Sequence, residues 1–410
     1  MLTFRGRHGC AILVAVIAAG IGFFYSNEAH AGDPIGTVSK MYDGALSPDL
    51  AVNTFRNIDR LFPTRTVHRG NFVYPLPKMA QQLNQIRFTS HGKPWDLVDY
   101  LSVNRVAGVL VLKDGAIALE MYQYGNTAET RWMSMSIAKS ITSTLIGAAI
   151  KQRYIKSIEE PVTKYVPQLI GSSYEGVSIR DILTMSSGVK WNETYTDRTS
   201  DRRQMLQAQI SQRSGALIAL MAALPRAAPP GTINNYSTGE TQIAGEVLHG
   251  AIKGRLTDYL SERIWAKFGM EADATWWLAS PDGMEIAGSG FSARLRDYGR
   301  FGLFFLNGGM ARGEQILPSG WTVEASSPKL LKDGKSLDYG YFWWPAWTTD
   351  SNPEAQGAYS AIGIFGQYVY INPKEQLVVV LWSARSKPGG MDVIDDMDFF
   401  AAVAAALRKH

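Results

Sequence analysis

Cysteine is nearly absent from this sequence: one residue in 410, Cys10. Beyond that position the chain has no disulfide framework, no thiol nucleophile and no cysteine-ligated metal. Histidine is scarce too, six in all, and His68, His91, His249 and His410 are too scattered for a local motif such as H-E-x-x-H. His249 sits in a helical stretch and reads as a packing residue rather than as part of a distant Ser-His-Asp set. No G-x-S-x-G elbow occurs. The formal net charge of +4 is small and dispersed, which gives no basis for a nucleic-acid partner. Chemistry is left to hydroxyl, amine, carboxyl and phenol groups, and neither metal nor cofactor is called for.

A long apolar run is missing as well. The stretch over about residues 11–24 follows Arg5 and Arg7 and leads to Ala29-His30-Ala31. That order predicts a secretory signal peptide over residues 1–31, cut after Ala31, and hence an exported protein, periplasmic or secreted. A membrane span needs about 20 apolar residues, so no stable membrane insertion is expected after cleavage. Cys10 precedes the apolar core, which excludes a lipoprotein attachment site. A chain of this size can bury enough surface to do without disulfides. Residues 32–95 carry the extended pieces Leu61-Phe62-Pro63-Thr64-Arg65 and Val73-Tyr74-Pro75-Leu76-Pro77. They are expected as an N-terminal extension packed on a body formed by residues 96–410, with a helical lobe at about 140–255.

From Val106 the pattern sharpens. Residues 106–112, Asp114-Gly115 and 116–124 predict a strand, a tight turn and a strand. The stretch RWMSMSIAKSITSTLIGAAIK, from Arg131 to Lys151, predicts a helix, having no Pro and a Gly only late, at Gly147. Ser136 and Lys139 stand three apart near its start and so share a face. A serine hydroxyl is a weak nucleophile at neutral pH, and an unprotonated amine beside it can take its proton. Free N–H groups of the first helical turn are expected to face charge developing beside Ser136. The same pattern at Ser90/Lys93, Ser187/Lys190 and Ser326/Lys329 falls among Gly92, Pro94, Gly188 and Pro328, turn contexts that hold nothing in place. Lys139 needs its pKa brought from about 10.4 to about 7–8, a bias of roughly 3–4 kcal/mol.

Further on, residues 186–203 predict a polar loop with Tyr195 between Glu193 and Asp197, the kind of loop that lines sites. Tyr236 lies in an Asn/Gly-rich turn that opens a helix through Leu248. Residues 290–306 predict one helix, 362–369 and 377–382 strands about a turn at Asn372-Pro373, and about 395–407 a closing helix. Strands at both ends with helices between predict an α/β (α+β) fold: an antiparallel sheet built from the two chain ends, flanked by helices, plus a helical lobe. The Ser136 helix would then start at the seam, a usual place for a pocket. Trp276-Trp277 and Trp343-Trp344 read as core or pocket wall.

Ser136-x-x-Lys139, Tyr236 in NNYSTGE and a late glycine-bearing strand in GIFGQ together resemble the serine β-lactamase and penicillin-binding-protein superfamily. The resemblance is in particular to its class C-like esterase and 6-aminohexanoate-dimer hydrolase branch. FRNIDRLFP from Phe55, DILTMSSGVKWNE from Asp181, GFSARLRDYGRFG from Gly290 and YGYFWW from Tyr339 support it. It implies a β-lactamase/transpeptidase-like fold in which Ser136 is acylated and Lys139 takes or relays its proton. Tyr236 would act as general base and later protonate the leaving group. The family's K-T-G tripeptide would correspond to Ala361-Ile362-Gly363, making the Ile364 N–H an oxyanion donor beside that of Ser136. One such donor is worth about 3–4 kcal/mol in the transition state. By the same analogy Tyr195 touches the substrate amide.

Three departures bear on substrate. Thr238 stands where many relatives have Asn, no literal K-T-G occurs, and Ala361 offers no cation to a β-lactam carboxylate. The favoured reading is an exported serine hydrolase acting on a small-molecule amide or ester. The alternatives are a binding or sensor protein on the same fold, and a D,D-peptidase or β-lactamase.

Overall fold

The computed structural model describes residues 32–346, 355–389 and 393–408; the signal peptide expected at 1–31 lies outside them. The strands that position the site are, in chain order, β1 (Thr64–Val67), β2 (Val106–Lys113), β3 (Ala116–Tyr122), β4 (Arg131–Met133) and β5 (Ala274–Trp277). They continue as β6 (Phe291–Arg294), β7 (Trp344–Pro345), β8 (Tyr359–Gly363), β9 (Gln367–Asn372) and β10 (Leu377–Ser383). The helices that matter here are α1 (Leu97–Val103), α2 (Ile137–Lys151), α3 (Asp201–Ile210), α4 (Thr238–Ile252), α5 (Leu295–Leu306) and α6 (Asp396–Leu407).

The two ends of the chain build one six-stranded sheet in the order β7-β8-β9-β10-β2-β3, antiparallel at every pairing. The β2–β3 hairpin turns at Asp114 and Gly115, both with positive φ (50° and 79°), as the twist of a two-residue hairpin turn requires. Every residue of β10, LVVVLWS, is buried, so the sheet is covered on both faces. Side chains alternate between those faces. Leu110, Leu112, Val369, Val378 and Val380 join the core under α5 and α2. Val109, Val111, Val379, Leu381 and Tyr370 pack on the other side with Tyr100 of α1 and Phe399 and Phe400 of α6.

A second, four-stranded sheet, β1-β5-β6-β4, was not legible in the pattern. It replaces the first part of the helix expected over 290–306. Phe291–Arg294 is a strand because Ser292 and Ala293 pair with Met133 and Trp132 while Phe291 and Ser292 pair with Trp276 and Thr275. The helix begins only at Leu295. Here long-range pairing overrides local propensity. The strand expected over 362–369 is also two strands, β8 and β9, about a turn at 364–366 where Gly366 has φ 84°.

The α2 helix is buried at every position from Ile137 to Ala149; its polar members are satisfied inside, Ser140 donating to Phe342 O, Thr142 to Ala287 O and Thr144 to Ser140 O. It packs on α4 in the helical region and on β8 and β9 of the large sheet. Trp132 of β4 stacks on Trp382 of β10 (5.7 Å between centroids, 13° between planes) and ties the two sheets together. Removing a buried ring of this size leaves a cavity. Trp382→Ala is expected to cost about 3–5 kcal/mol, read as a lower urea midpoint of unfolding.

Candidate active site

Ser136 is aimed by the strand before it. β4 is locked onto β6, Ser134 N–H donates to Phe291 O (2.7 Å), and the chain then turns at Met135 with φ 44°. That left-handed conformation costs a non-glycine residue about 1–3 kcal/mol; Met135 is held there with its side chain buried. Ser136 opens α2, yet its hydroxyl does not cap the helix and stays available. The N–H groups of Ile137, Ala138 and Lys139 donate to the carbonyls of Ser134, Met135 and Ser136 (3.2, 3.1 and 3.0 Å). The free first-turn donors expected from the sequence therefore reduce to the N–H of Ser136 itself.

Lys139 Nζ lies 3.1 Å from Ser136 Oγ, 3.0 Å from Thr238 Oγ1 and 3.0 Å from the Gly288 carbonyl. Lys139 is 2% exposed and Ser136 8%, so the amine and the hydroxyl meet in a buried setting. Burial brings the Lys139 pKa down to about 7, with the Glu193 carboxylate opposing the shift and the Arg202 guanidinium adding to it. An amine ordinarily charged at neutral pH is thus partly unprotonated there.

Tyr236 comes to the same hydroxyl from the segment before α4. Its phenol is close enough to Ser136 for that side chain to oppose part of the rise in the phenol pKa, and its ring centre is 5.4 Å from Lys139 Nζ. The turn that carries it is pinned by Asn235 N–H to Met185 O (2.8 Å), Asn234 Nδ2 to Thr184 O (2.8 Å) and Asn235 Nδ2 to Trp191 O (3.0 Å). Ser237 caps α4 through Glu240 N–H (3.1 Å). The Tyr236 ring stacks on Trp344 (5.6 Å, 29°) and meets the edge of Tyr339 (6.1 Å). Burial, and after it the Glu193 carboxylate, push its phenol above the ordinary tyrosine range.

The end of β8 closes the other side. A Cβ at Gly363 would sit 2.7 Å from the Ser134 carbonyl, so glycine lets this strand end approach the segment leading to Ser136. Ile364 is the first residue of the turn that follows. Neither its N–H nor that of Ser136 is engaged by another group among the described residues. Gln367 fixes the turn by accepting from Phe365 N–H on Oε1 (3.1 Å). Ala361 is fully buried within β8 and brings no charge to the site. Tyr195 stands beside Tyr42 (6.3 Å between rings), and burial, then the Glu193 carboxylate, push its phenol well above the ordinary tyrosine range. It makes no hydrogen bond to Ser136 or Lys139.

Two groups escaped the sequence reading. Glu193 accepts from Thr238 N–H (2.9 Å) and Trp191 Nε1–H (2.5 Å) on Oε2, and from the Thr238 hydroxyl on Oε1 (2.5 Å). Gly288 contributes only a carbonyl. The sequence marked Glu193 merely as a neighbour of Tyr195, and nothing in it marks a carbonyl. Among the described residues no cluster of side chains could hold a metal ion.

A family model described as Beta-lactamase matches residues 102–403. The chain belongs to the beta-lactamase family. Within that family it is 27% identical over 345 residues to the 6-aminohexanoate-dimer hydrolase of Paenarthrobacter ureafaciens, covering 82% of this chain and 85% of that protein. A Bacillus anthracis structure provisionally named as a 6-aminohexanoate-dimer hydrolase superposes with TM-score 0.75 at 22% identity, over 87% of this chain and 94% of the other. A family VIII carboxylesterase superposes with TM-score 0.53 at 16% identity, over 73% and 91%. The chain is a beta-lactamase-fold hydrolase by family, and the fold expected from the sequence is the one observed.

A proton acceptor with a pKa near 7 has a direct consequence. Fluorophosphonate labelling of Ser136 should be slow in acid, where the amine is charged, and rise with pH through a midpoint near 7. Peptide mapping of label against pH measures it.

Proposed function

We propose that this beta-lactamase-family protein is a serine hydrolase that cleaves a small amide or ester through an acyl-enzyme on Ser136. The reading is carried by one observation: a buried amine at position 139 lies 3.1 Å from the oxygen of Ser136, with the phenol of Tyr236 beside them. Unprotonated Lys139 takes the proton of Ser136 as Oγ attacks the substrate carbonyl. The N–H groups of Ser136 and Ile364 face the oxygen that becomes negative. The raised pKa of Tyr236 keeps its proton in place at neutral pH, which favours donation to the departing nitrogen or oxygen over a role as anionic base. The phenolate then recovers a proton from Lys139, and water releases the acyl group by the reverse sequence.

The relatives named for 6-aminohexanoate-dimer and carboxylester chemistry support an amide or ester substrate. Buried Ala361 supports the same choice over a β-lactam, since the strand beside Ser136 carries no counter-charge for a ring carboxylate. We further propose export, with the signal sequence removed after Ala31. Among the described residues no helix is long and apolar enough to cross a membrane.

Ser136→Ala should lower p-nitrophenyl ester turnover by at least about 10³-fold, and Tyr236→Phe by about 10²–10⁴-fold, each with an unchanged circular dichroism spectrum. In a panel of p-nitrophenyl esters, 6-aminohexanoate dimer and nitrocefin, turnover of the first two should exceed that of nitrocefin. Dominant nitrocefin hydrolysis points instead to a β-lactamase, and binding without turnover to a sensor. Edman sequencing of protein exported from a bacterial host should begin at Gly32.

A further inference from the structure

Lys139 lies among neighbours that differ in what they offer, and the difference reaches back to Glu193. The Gly288 carbonyl can only accept a hydrogen bond. The Thr238 hydroxyl has a single hydrogen, and Glu193 Oε1 takes it at 2.5 Å. Glu193 is itself fixed, with Oε2 accepting from Thr238 N–H and Trp191 Nε1–H and Arg202 Nε standing 3.9 Å from Oε1. Toward Lys139, 3.0 Å away, Thr238 therefore presents lone pairs alone.

An unprotonated amine has two hydrogens and one lone pair. Gly288 and Thr238 accept the two hydrogens, and the corner that remains faces Ser136 Oγ at 3.1 Å. If the Thr238 hydrogen pointed at Lys139 instead, it would draw the lone pair to itself. An N–H would then turn toward Ser136, whose proton would have no acceptor. We propose that Glu193, acting through the Thr238 hydroxyl, sets the direction of the Lys139 lone pair and is a positioning residue for proton transfer from Ser136. This rests on the hydrolase reading above and adds to it a group that hydrogen-bonds to neither Ser136 nor Lys139. It also explains the threonine that departs from the family pattern, whose hydroxyl passes the orientation of a carboxylate to an amine.

Glu193→Gln tests the polarity. Two N–H donors converge on Oε2, so the amide oxygen belongs there and the NH2 group falls at Oε1. It then donates to Thr238 and reverses the hydroxyl. The charged and titratable groups around Lys139 are Glu193, Arg202 and Tyr236, and the substitution removes the one whose charge favours the ammonium form. With p-nitrophenyl butyrate and the mature protein, Glu193→Gln and Thr238→Val are expected to lower kcat by about 10²-fold, as misplacement of a catalytic group does. KM should stay within about twofold. Glu193→Gln should also move the acid limb of the kcat/KM profile to lower pH. Thr238→Ser, which keeps the hydroxyl, should recover most of what Thr238→Val loses.

Wild-type kcat with an unmoved acid limb in Glu193→Gln, or Thr238→Ser as poor as Thr238→Val, overturns the inference. Should Glu193→Gln fail to fold, the Thr238 pair decides alone. Ester turnover by Ser136→Ala measured alongside separates the two levels. If that variant is active the hydrolase reading fails, whereas an inactive Ser136→Ala beside unaffected Glu193 and Thr238 variants refutes only the positioning role.

Discussion

Desolvation of the Lys139 amine sets the terms for everything around it. In water a lysine is a poor base partner for serine because it holds its proton until far above neutral pH. Here the side chain is enclosed from every direction, and the loss of hydration brings its pKa to about 7. Such enclosure cannot come from one element. It needs α2 buried all round, α4 on one side, the end of β8 on another and the segment before β6 supplying a carbonyl. The cost of burying an amine is offset by three polar contacts within 3.1 Å. Fold and chemistry meet in this one group.

What the sequence made legible follows the range of the contacts. Ser136 and Lys139 could be paired because three residues on a helix bring them to one face, and the β2–β3 hairpin because Asp114-Gly115 is a local turn signal. Tyr236 needed the family resemblance, as nothing local ties residue 236 to residue 136. Thr238 and Gly288 meet Lys139 across 99 and 149 residues, and one of them acts through its backbone, which carries no sequence mark. The strand at Phe291–Arg294 carries no local mark, because it is held between Trp132, far earlier in the chain, and Trp276 of a neighbouring strand. Residues 364–366 read as strand in the sequence because a glycine there fits a strand as well as the left-handed corner of a turn, which is what Gly366 forms.

Family membership and substrate choice rest on different parts of the molecule. The match over residues 102–403 shows the family, and the hydroxyl, amine and phenol cluster lies within that span. The positions that depart from the family's motifs lie at the edges of that cluster: Ala361 on β8 and Thr238 at the start of α4. They change which charges surround it, and charge is where recognition of a zwitterion, a carboxylate or a neutral ester diverges.

The four-stranded sheet that delivers Ser136 has the short strand β4 at one edge and β1 at the other. β1 pairs along all four residues with Ala274–Trp277 and covers a rim that would otherwise present open amide and carbonyl groups. A chain trimmed to the family-matching residues 102–403 would keep every group that meets Ser136 and lose that cover. Its exposed tryptophan-bearing edge would offer a ready seam for a second molecule. Loss of the leading segment would then leave that edge open to association between molecules.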